Sequence, residues 1–224
     1  MSSDIRILFI GKADDHCSKM AADFVQLHFP KSRIVFSKRD LPMPADLMQW
    51  EGDILISYLA QWIIPSALLE KAKTAAINFH TGSPDYPGIG CTNFALYNGE
   101  KEFGITCHHM LARVDSGNII AVRRFPVFPN ETVFSITQRC YAEIWHLFYE
   151  LMSKLLKGES LPESEEKWTR KPYTRKQLNA LCELTEDMPE EEKQRRIRAT
   201  TYGDKVWAFM RVGDQKVSYS SVPK

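Results

Sequence analysis

The apolar run Ile7-Leu8-Phe9-Ile10, entered from Ile5 and closed by Gly11, predicts a strand buried on both faces. From Asp14 to Phe29 the apolar positions shift to helical spacing through Met20, Ala21, Phe24, Val25 and Leu27, and Pro30 stops the helix. Short strands are expected at Arg33–Phe36, Asp53–Leu59 and Ala75–His80. A helix over Pro65–Lys73, with proline in its first turn, separates the last two. Strand, helix, strand, helix is the order of a parallel sheet with crossover helices. Thr81–Gly90 is broken by Gly82, Pro84, Pro87, Gly88 and Gly90 and reads as loop, whereas Cys91–Asn98 reads as a helix closed by Gly99. Gly104–Ala112 and Asn118–Val127 are expected to form a hairpin with a long corner at Arg113–Gly117. The longest helix is predicted to start at an Asn130 cap and to end at Gly158. Its apolar stripe is Val133, Ile136, Cys140, Ile144, Leu147, Leu151 and Leu155, at steps of three and four.

The pattern changes after Gly158. Leu161–Lys176 is polar and carries Trp168 and Tyr173, and Pro189-Glu190-Glu191-Glu192 opens a helix with acids at its positive end. Lys205–Val212 and Lys216–Ser220 flank Gly213-Asp214 as a hairpin. The expected organisation is α/β, with a main domain over 1–158 and a small C-terminal extension of helix and β-hairpin over 159–224. That extension is too small for a robust core of its own and is expected to pack on the main domain or on a second subunit. Its Val206, Trp207 and Phe209 suggest a partner surface and hence a homodimer.

The 224 residues carry 29 Lys+Arg against 28 Asp+Glu, a net charge of +1, which excludes a bulk polyanion binder and leaves nucleic acid an unexpected partner. Five scattered Cys at non-metal spacings suit a reducing cytosol. No run approaches the ~20 apolar residues of a membrane span, and the first residues lack a signal-peptide pattern. The expected location is cytoplasmic.

Candidate chemistry concentrates between Asn78 and Gly117. Asn78 and His80, two apart on one strand, project from the same face. They sit at the carboxyl end of that strand, where open α/β sheets bind ligands. Asp115 lies at the following corner. An amide donates to an oxygen turning negative, an imidazole moves a proton near neutrality, and a neighbouring carboxylate favours the imidazolium. With no Ser or Cys nucleophile in evidence, the set suits direct acyl transfer to a substrate amine.

Asn78-Phe79-His80, the loop Ser83-Pro84-Asp85-Tyr86-Pro87-Gly88 and Asp115-Ser116-Gly117 resemble the folate-dependent formyltransferases, a family that includes the glycinamide ribonucleotide and methionyl-tRNA enzymes. The resemblance implies a Rossmann-like domain, 10-formyltetrahydrofolate as co-substrate, and no metal. By position it implies Asn78, His80 and Asp115 as catalytic residues. It further implies a pterin slot along Trp62, Ile63 and Ile64 and along Leu111–Val114, Arg113 included, with Lys12 beside an anionic substrate group. Tyr86-Pro87-Gly88-Ile89-Gly90 replaces the usual Ser-Leu-Leu-Pro run and resembles the sugar N-formyltransferases, as does the tail from Trp168 to Gly203. Tyr86, Gly88 and Gly90 are accordingly expected at the substrate. This group implies a nucleotide-linked amino sugar, dTDP-4-amino-4,6-dideoxyglucose by preference, and a role in surface polysaccharide (O-antigen) biosynthesis. From its length, the chain is expected not to carry the large C-terminal domain of the tRNA enzymes. Glycinamide ribonucleotide formyltransferase and a catalytically dead relative that binds folate or nucleotide are the alternatives.

Plainer readings stand beside these. Asp115-Ser116-Gly117 alone is a turn. His108 and His109 point to opposite faces of a strand, which disfavours a shared metal and suits packing at the sheet or against the cofactor slot. Phe134, Tyr141, Trp145 and Phe148 suit a core or an interface. Trp168 and Tyr173 suit packing or base stacking, and Cys91 reads as structural.

Overall fold

The structure, a computed structural model, describes residues 4–219. Ser220, the end of the expected second hairpin strand, lies outside the described residues. The centre is a six-stranded sheet formed by β1 (Ile7–Lys12), β2 (Arg33–Ser37), β3 (Gly52–Tyr58), β4 (Ala72–His80), β5 (Glu102–His109) and β6 (Ile119–Pro126), in spatial order β2-β1-β3-β4-β5-β6. The first four are mutually parallel, and β5 alone runs against its neighbours β4 and β6, so the expected mostly parallel α/β sheet is what forms.

Alternation along β1 shows why the sheet is two-sided. Ile7 and Phe9 enter one apolar core, Leu8 and Ile10 the other, and all four are fully buried. The first core packs α1 (His16–His28), α3 (Cys91–Asn98) and α4 (Val133–Leu156) on one face. The second packs a 3₁₀ turn, Ala45–Gln49, and α2 (Ser66–Leu69) on the other. The predicted stripe of α4 is buried throughout. Phe148 joins it, centred among Phe9, Phe24, Tyr58 and Phe79.

Several boundaries differ from expectation. The cap of α4 is Thr132, not Asn130, because Thr132 has extended backbone and its side chain accepts from Ser135 N while the Ser135 hydroxyl closes the reciprocal bond. The helix expected over Pro65–Lys73 keeps only Ser66–Leu69. Ala72–Thr74 already belong to β4, recruited by the edge of β3 through the Gly52–Ala72 pairing. The hairpin strands end early, at His109 and Pro126, where the next N–H groups leave the β5–β6 ladder: Met110 donates to the Ala76 carbonyl and Val127 to the Lys101 carbonyl.

Beyond α4 come α5 (Arg175–Cys182), which the polar pattern had hidden, then β7 (Glu183–Leu184) and α6 (Glu190–Ala199). The tail ends in β8 (Thr201–Tyr202), β9 (Lys205–Val206), β10 (Phe209–Val212) and β11 (Gln215–Ser218). The hairpin at Gly213-Asp214 forms, but the strand expected over Lys205–Val212 breaks at Trp207-Ala208. The stretch before α5 crosses back over the sheet's carboxyl end. Ser164, Thr169 and Tyr173 donate backbone N–H groups to the carbonyls of Ile119, Pro84 and Pro87. Tyr173, Leu178, Leu181 and Ala199 bury into the main core. No helix among the described residues is long and apolar enough to cross a membrane.

Candidate active site

A cavity of about 750 Å³ opens at the carboxyl ends of β1, β3 and β4, the position that a parallel sheet leaves for a ligand. Its floor carries Asn78, His80, His108 and Asp115. Asn78 and His80 reach the same side because they are alternate residues of β4. The β4–β5 register then sets His108 directly opposite Asn78 and Thr106 opposite His80, so His108 joins the same face.

Asp115 completes the group from the corner between β5 and β6. Its φ of +43° is left-handed, a conformation that Asp tolerates better than most side chains. Its Oδ2 accepts the Gly88 N–H at 2.7 Å and lies 3.4 Å from His80 Nδ1, and its Oδ1 lies 3.2 Å from His108 Nε2. Asn78 Nδ2 is 3.1 Å from that same His108 nitrogen, while His108 Nδ1 meets the His109 carbonyl at 2.8 Å.

His80 is the electrostatic centre. Its Nε2 meets the Tyr86 carbonyl at 2.9 Å and its Nδ1 meets the Asp115 carboxylate, so both ring nitrogens face acceptors and both must donate. Burial disfavours the charged ring. The Asp115 carboxylate, the Cys91 sulfur at 3.6 Å and the Tyr86 carbonyl outweigh burial and hold the imidazole above its ordinary range. Burial likewise opposes the Asp115 carboxylate, yet the charge on His80, the His108 ring and the Gly88 amide hold it well below the usual carboxylate range. The result is a buried imidazolium–carboxylate pair, both residues about 7% exposed, with the more accessible Asn78 amide beside it.

The walls contain most of the other expected residues. Trp62, Ile63 and Ile64 form one side, after a backbone turn at Leu59 whose φ of +54° is strained for such a side chain. Leu111, Arg113 and Val114 form the opposite side, with Ile63 and Leu111 strongly exposed. Lys12, Gly88 and Gly90 also line the cavity. Lys12 donates to the Tyr141 hydroxyl at 2.9 Å, which brings one aromatic of α4 out of the core and into the site. Tyr86 does not belong there. Its ring is buried between Phe103 and Tyr173 and its hydroxyl donates to Glu100 at 2.6 Å, so only its carbonyl serves the site. The Tyr-Pro-Gly spacing gave no cue to that inward rotation.

His108 is the residue that the sequence reading left outside the machinery. The signal was present, since Thr106 and His108 alternate on one face, but its value depends on β5 pairing antiparallel with β4 across an intervening helix. Trp168 and Tyr173 pack instead of waiting for a base: Tyr173 stacks on Phe94 at 3.8 Å between ring centres, and Trp168 lies against His80 and His108.

Residues 17–150 match the family model described as Formyl transferase, more than half of the chain. The chain belongs to the formyl transferase family. A methionyl-tRNA formyltransferase from Lactiplantibacillus plantarum is 28% identical over 157 residues, which are 68% of this chain and 49% of that protein. The chain spans about half the length of the curated relatives it matches. Over nearly the whole chain the fold is similar to that of a sugar N-formyltransferase from a Shewanella species, with a TM-score of 0.76, 20% identity and 98% of each chain covered. It is also similar to the N-formyltransferase from Helicobacter canadensis crystallised with folinic acid and dTDP-3-aminofucose, with a TM-score of 0.71, 18% identity, 95% of this chain and 86% of that one.

Proposed function

We propose that this formyl transferase family member moves a formyl group from 10-formyltetrahydrofolate to the amine of a nucleotide-linked amino sugar. The observation that carries the reading is the cluster of Asn78, His80, His108 and Asp115 on the floor of one open cavity. The cavity suits both reactants. Trp62, Ile64, Met110 and Leu111 offer an apolar slot for a flat heterocycle. Lys12, Arg39, Arg113 and Arg175 line it against the single carboxylate of Asp115, a balance that favours anionic ligands such as a sugar diphosphate or a folate glutamate. The likeness of fold to a protein crystallised with folinic acid and a dTDP-amino sugar supports the same choice.

One hydrogen of the Asn78 amide is engaged by His108, and the other is free to meet the formyl oxygen as it becomes negative. His80 contributes positive charge rather than a free N–H, because the Tyr86 carbonyl and Asp115 engage its ring nitrogens. Asp115 Oδ1, 3.2 Å from His108 Nε2, is the acceptor for the proton that the attacking amine releases and that N10 of the departing tetrahydrofolate regains as its bond to the formyl carbon breaks. The acceptor within this class is dTDP-4-amino-4,6-dideoxyglucose, destined for surface polysaccharide, and the working enzyme is a cytoplasmic homodimer.

A panel of amines tests the reading: dTDP-4-amino-4,6-dideoxyglucose, a 3-amino isomer, and glycinamide ribonucleotide, each with 10-formyltetrahydrofolate. Formylation of a dTDP-sugar is the expected result. Formylation of glycinamide ribonucleotide alone would move the protein to purine synthesis, and binding with no turnover on any amine would mark a non-catalytic relative.

A further inference from the structure

The stretch of chain before α5 does more than cover the sheet's end. Its Trp168 indole lies at 5.0 Å from the His108 ring centre and 5.8 Å from that of His80, near-perpendicular to both at 86° and 73°. The two imidazoles are themselves 6.5 Å apart at 75°, so the three rings stand mutually crosswise. The indole Nε1–H donates to the Gly117 carbonyl at 2.8 Å. Gly117 sits two residues beyond Asp115 and is pressed against the His109 carbonyl, which a Cβ there would approach to 1.9 Å. Backbone bonds from Ser164 to Ile119 and from Thr169 to Pro84 fix the segment on either side of the indole.

We infer that Trp168 is a positioning residue: it holds both histidines and the Asp115 corner in the arrangement on which the reaction depends. A perpendicular aromatic neighbour restricts each imidazole to one orientation and excludes water from the His80–Asp115 pair, where water would screen the attraction. The indole hydrogen bond fixes the corner that carries the left-handed Asp115. The groups facing His80 are Asp115 from the corner, Cys91 from α3, His108 from β5, the Tyr86 carbonyl from the loop, and Trp168. Trp168 is the one among them that belongs to the chain beyond α4. The inference rests on the proposed transfer reaction for its kinetic consequence but not for its electrostatic one.

The test therefore pairs two readouts on the full chain. The ring titration of His80 is followed by NMR in wild type, Trp168→Leu and Trp168→Phe, its signal assigned by its loss in His80→Gln. Trp168→Leu is expected to lower the midpoint toward the ordinary imidazole value by on the order of one unit. It is expected to cut kcat about tenfold, with KM for the formyl donor within about threefold. Trp168→Phe, which keeps a ring but not the donor, falls between, and it is read in the same way if the leucine variant does not fold. In an Asp115→Asn background, Trp168→Leu is expected to cost clearly less than its tenfold in wild type, because part of its effect acts through the pair already broken there. An unchanged His80 midpoint, or a full additional loss in the Asp115→Asn background, overturns the inference. A shifted midpoint in a protein that formylates none of the amines would uphold it while refuting the transfer reading.

Discussion

Asp115→Asn removes the charge that the site is built around while keeping the shape of the side chain. In wild type the carboxylate faces His80 at 3.4 Å and His108 at 3.2 Å and accepts the Gly88 N–H. At 3.4 Å an effective dielectric of about 20 gives roughly 5 kcal/mol of attraction to the imidazolium, partly offset by the burial of both ions. Losing one member of such a pair costs about 3 kcal/mol, or roughly 6–12 °C in melting temperature for a chain of this size. The pH dependence is the sharper signature. His80 is held above its unfolded value, so its contribution is complete below pH ~6.5 and fades as pH rises through the raised folded value. Asp115 is held below its unfolded value, so its contribution is complete above pH ~4 and fades as pH falls through the lowered folded value. The variant should therefore trail wild type most between about pH 4 and 6.5 and approach it at alkaline pH, where wild-type His80 is also neutral. Denaturant melts of both proteins across that range measure the gap. A gap that stays constant with pH, or widens toward alkali, refutes the imidazolium–carboxylate pair.

Three further outcomes follow from the geometry. Asn78→Ala should lower kcat by ~10²-fold or more in a protein that melts as wild type does, measured by steady-state kinetics and calorimetry, because it removes the accessible donor without cutting into the core. Gly88→Ala should destabilise by about 2 kcal/mol and expose the Trp168 segment to limited proteolysis, since φ there is +92° and the new Cβ would lie 2.3 Å from the Tyr173 carbonyl oxygen. Lys12→Ala should raise KM for an anionic amine substrate about tenfold and leave kcat within a few-fold, and the same comparison on an uncharged amino sugar should show no such rise.

Much of the catalytic floor was legible because it follows from short-range rules. Alternation along one strand put Asn78 and His80 on a common face, and the Gly/Pro-rich loop after them marked a strand end open to ligands. The long α4 stripe declared its buried side because nothing in its packing departs from a 3.6-residue period. What escaped depends on pairings distant in sequence. His108 acquires its meaning from a register with β4 that no local pattern encodes. Trp168 reaches the site from 51 residues beyond Gly117, through a segment whose polar composition reads as solvent-facing. Tyr86 was misplaced because its ring turns inward to stack near Tyr173 while its carbonyl turns toward His80, a division between side chain and backbone that residue type does not reveal. The short α2 and the early start of β4 show the same override, with the edge of β3 recruiting residues of helical composition into the sheet.

A single-turnover experiment with 10-[¹³C]formyltetrahydrofolate and dTDP-4-amino-4,6-dideoxyglucose addresses the central claim most directly, because it isolates the chemical step at the Asn78, His80, His108 and Asp115 cluster. The account predicts that the label appears in the sugar's new amide at a rate that Asn78→Ala and Asp115→Asn each lower by ~10²-fold or more, with both reactants still bound. Label transfer at the wild-type rate in either variant would contradict it.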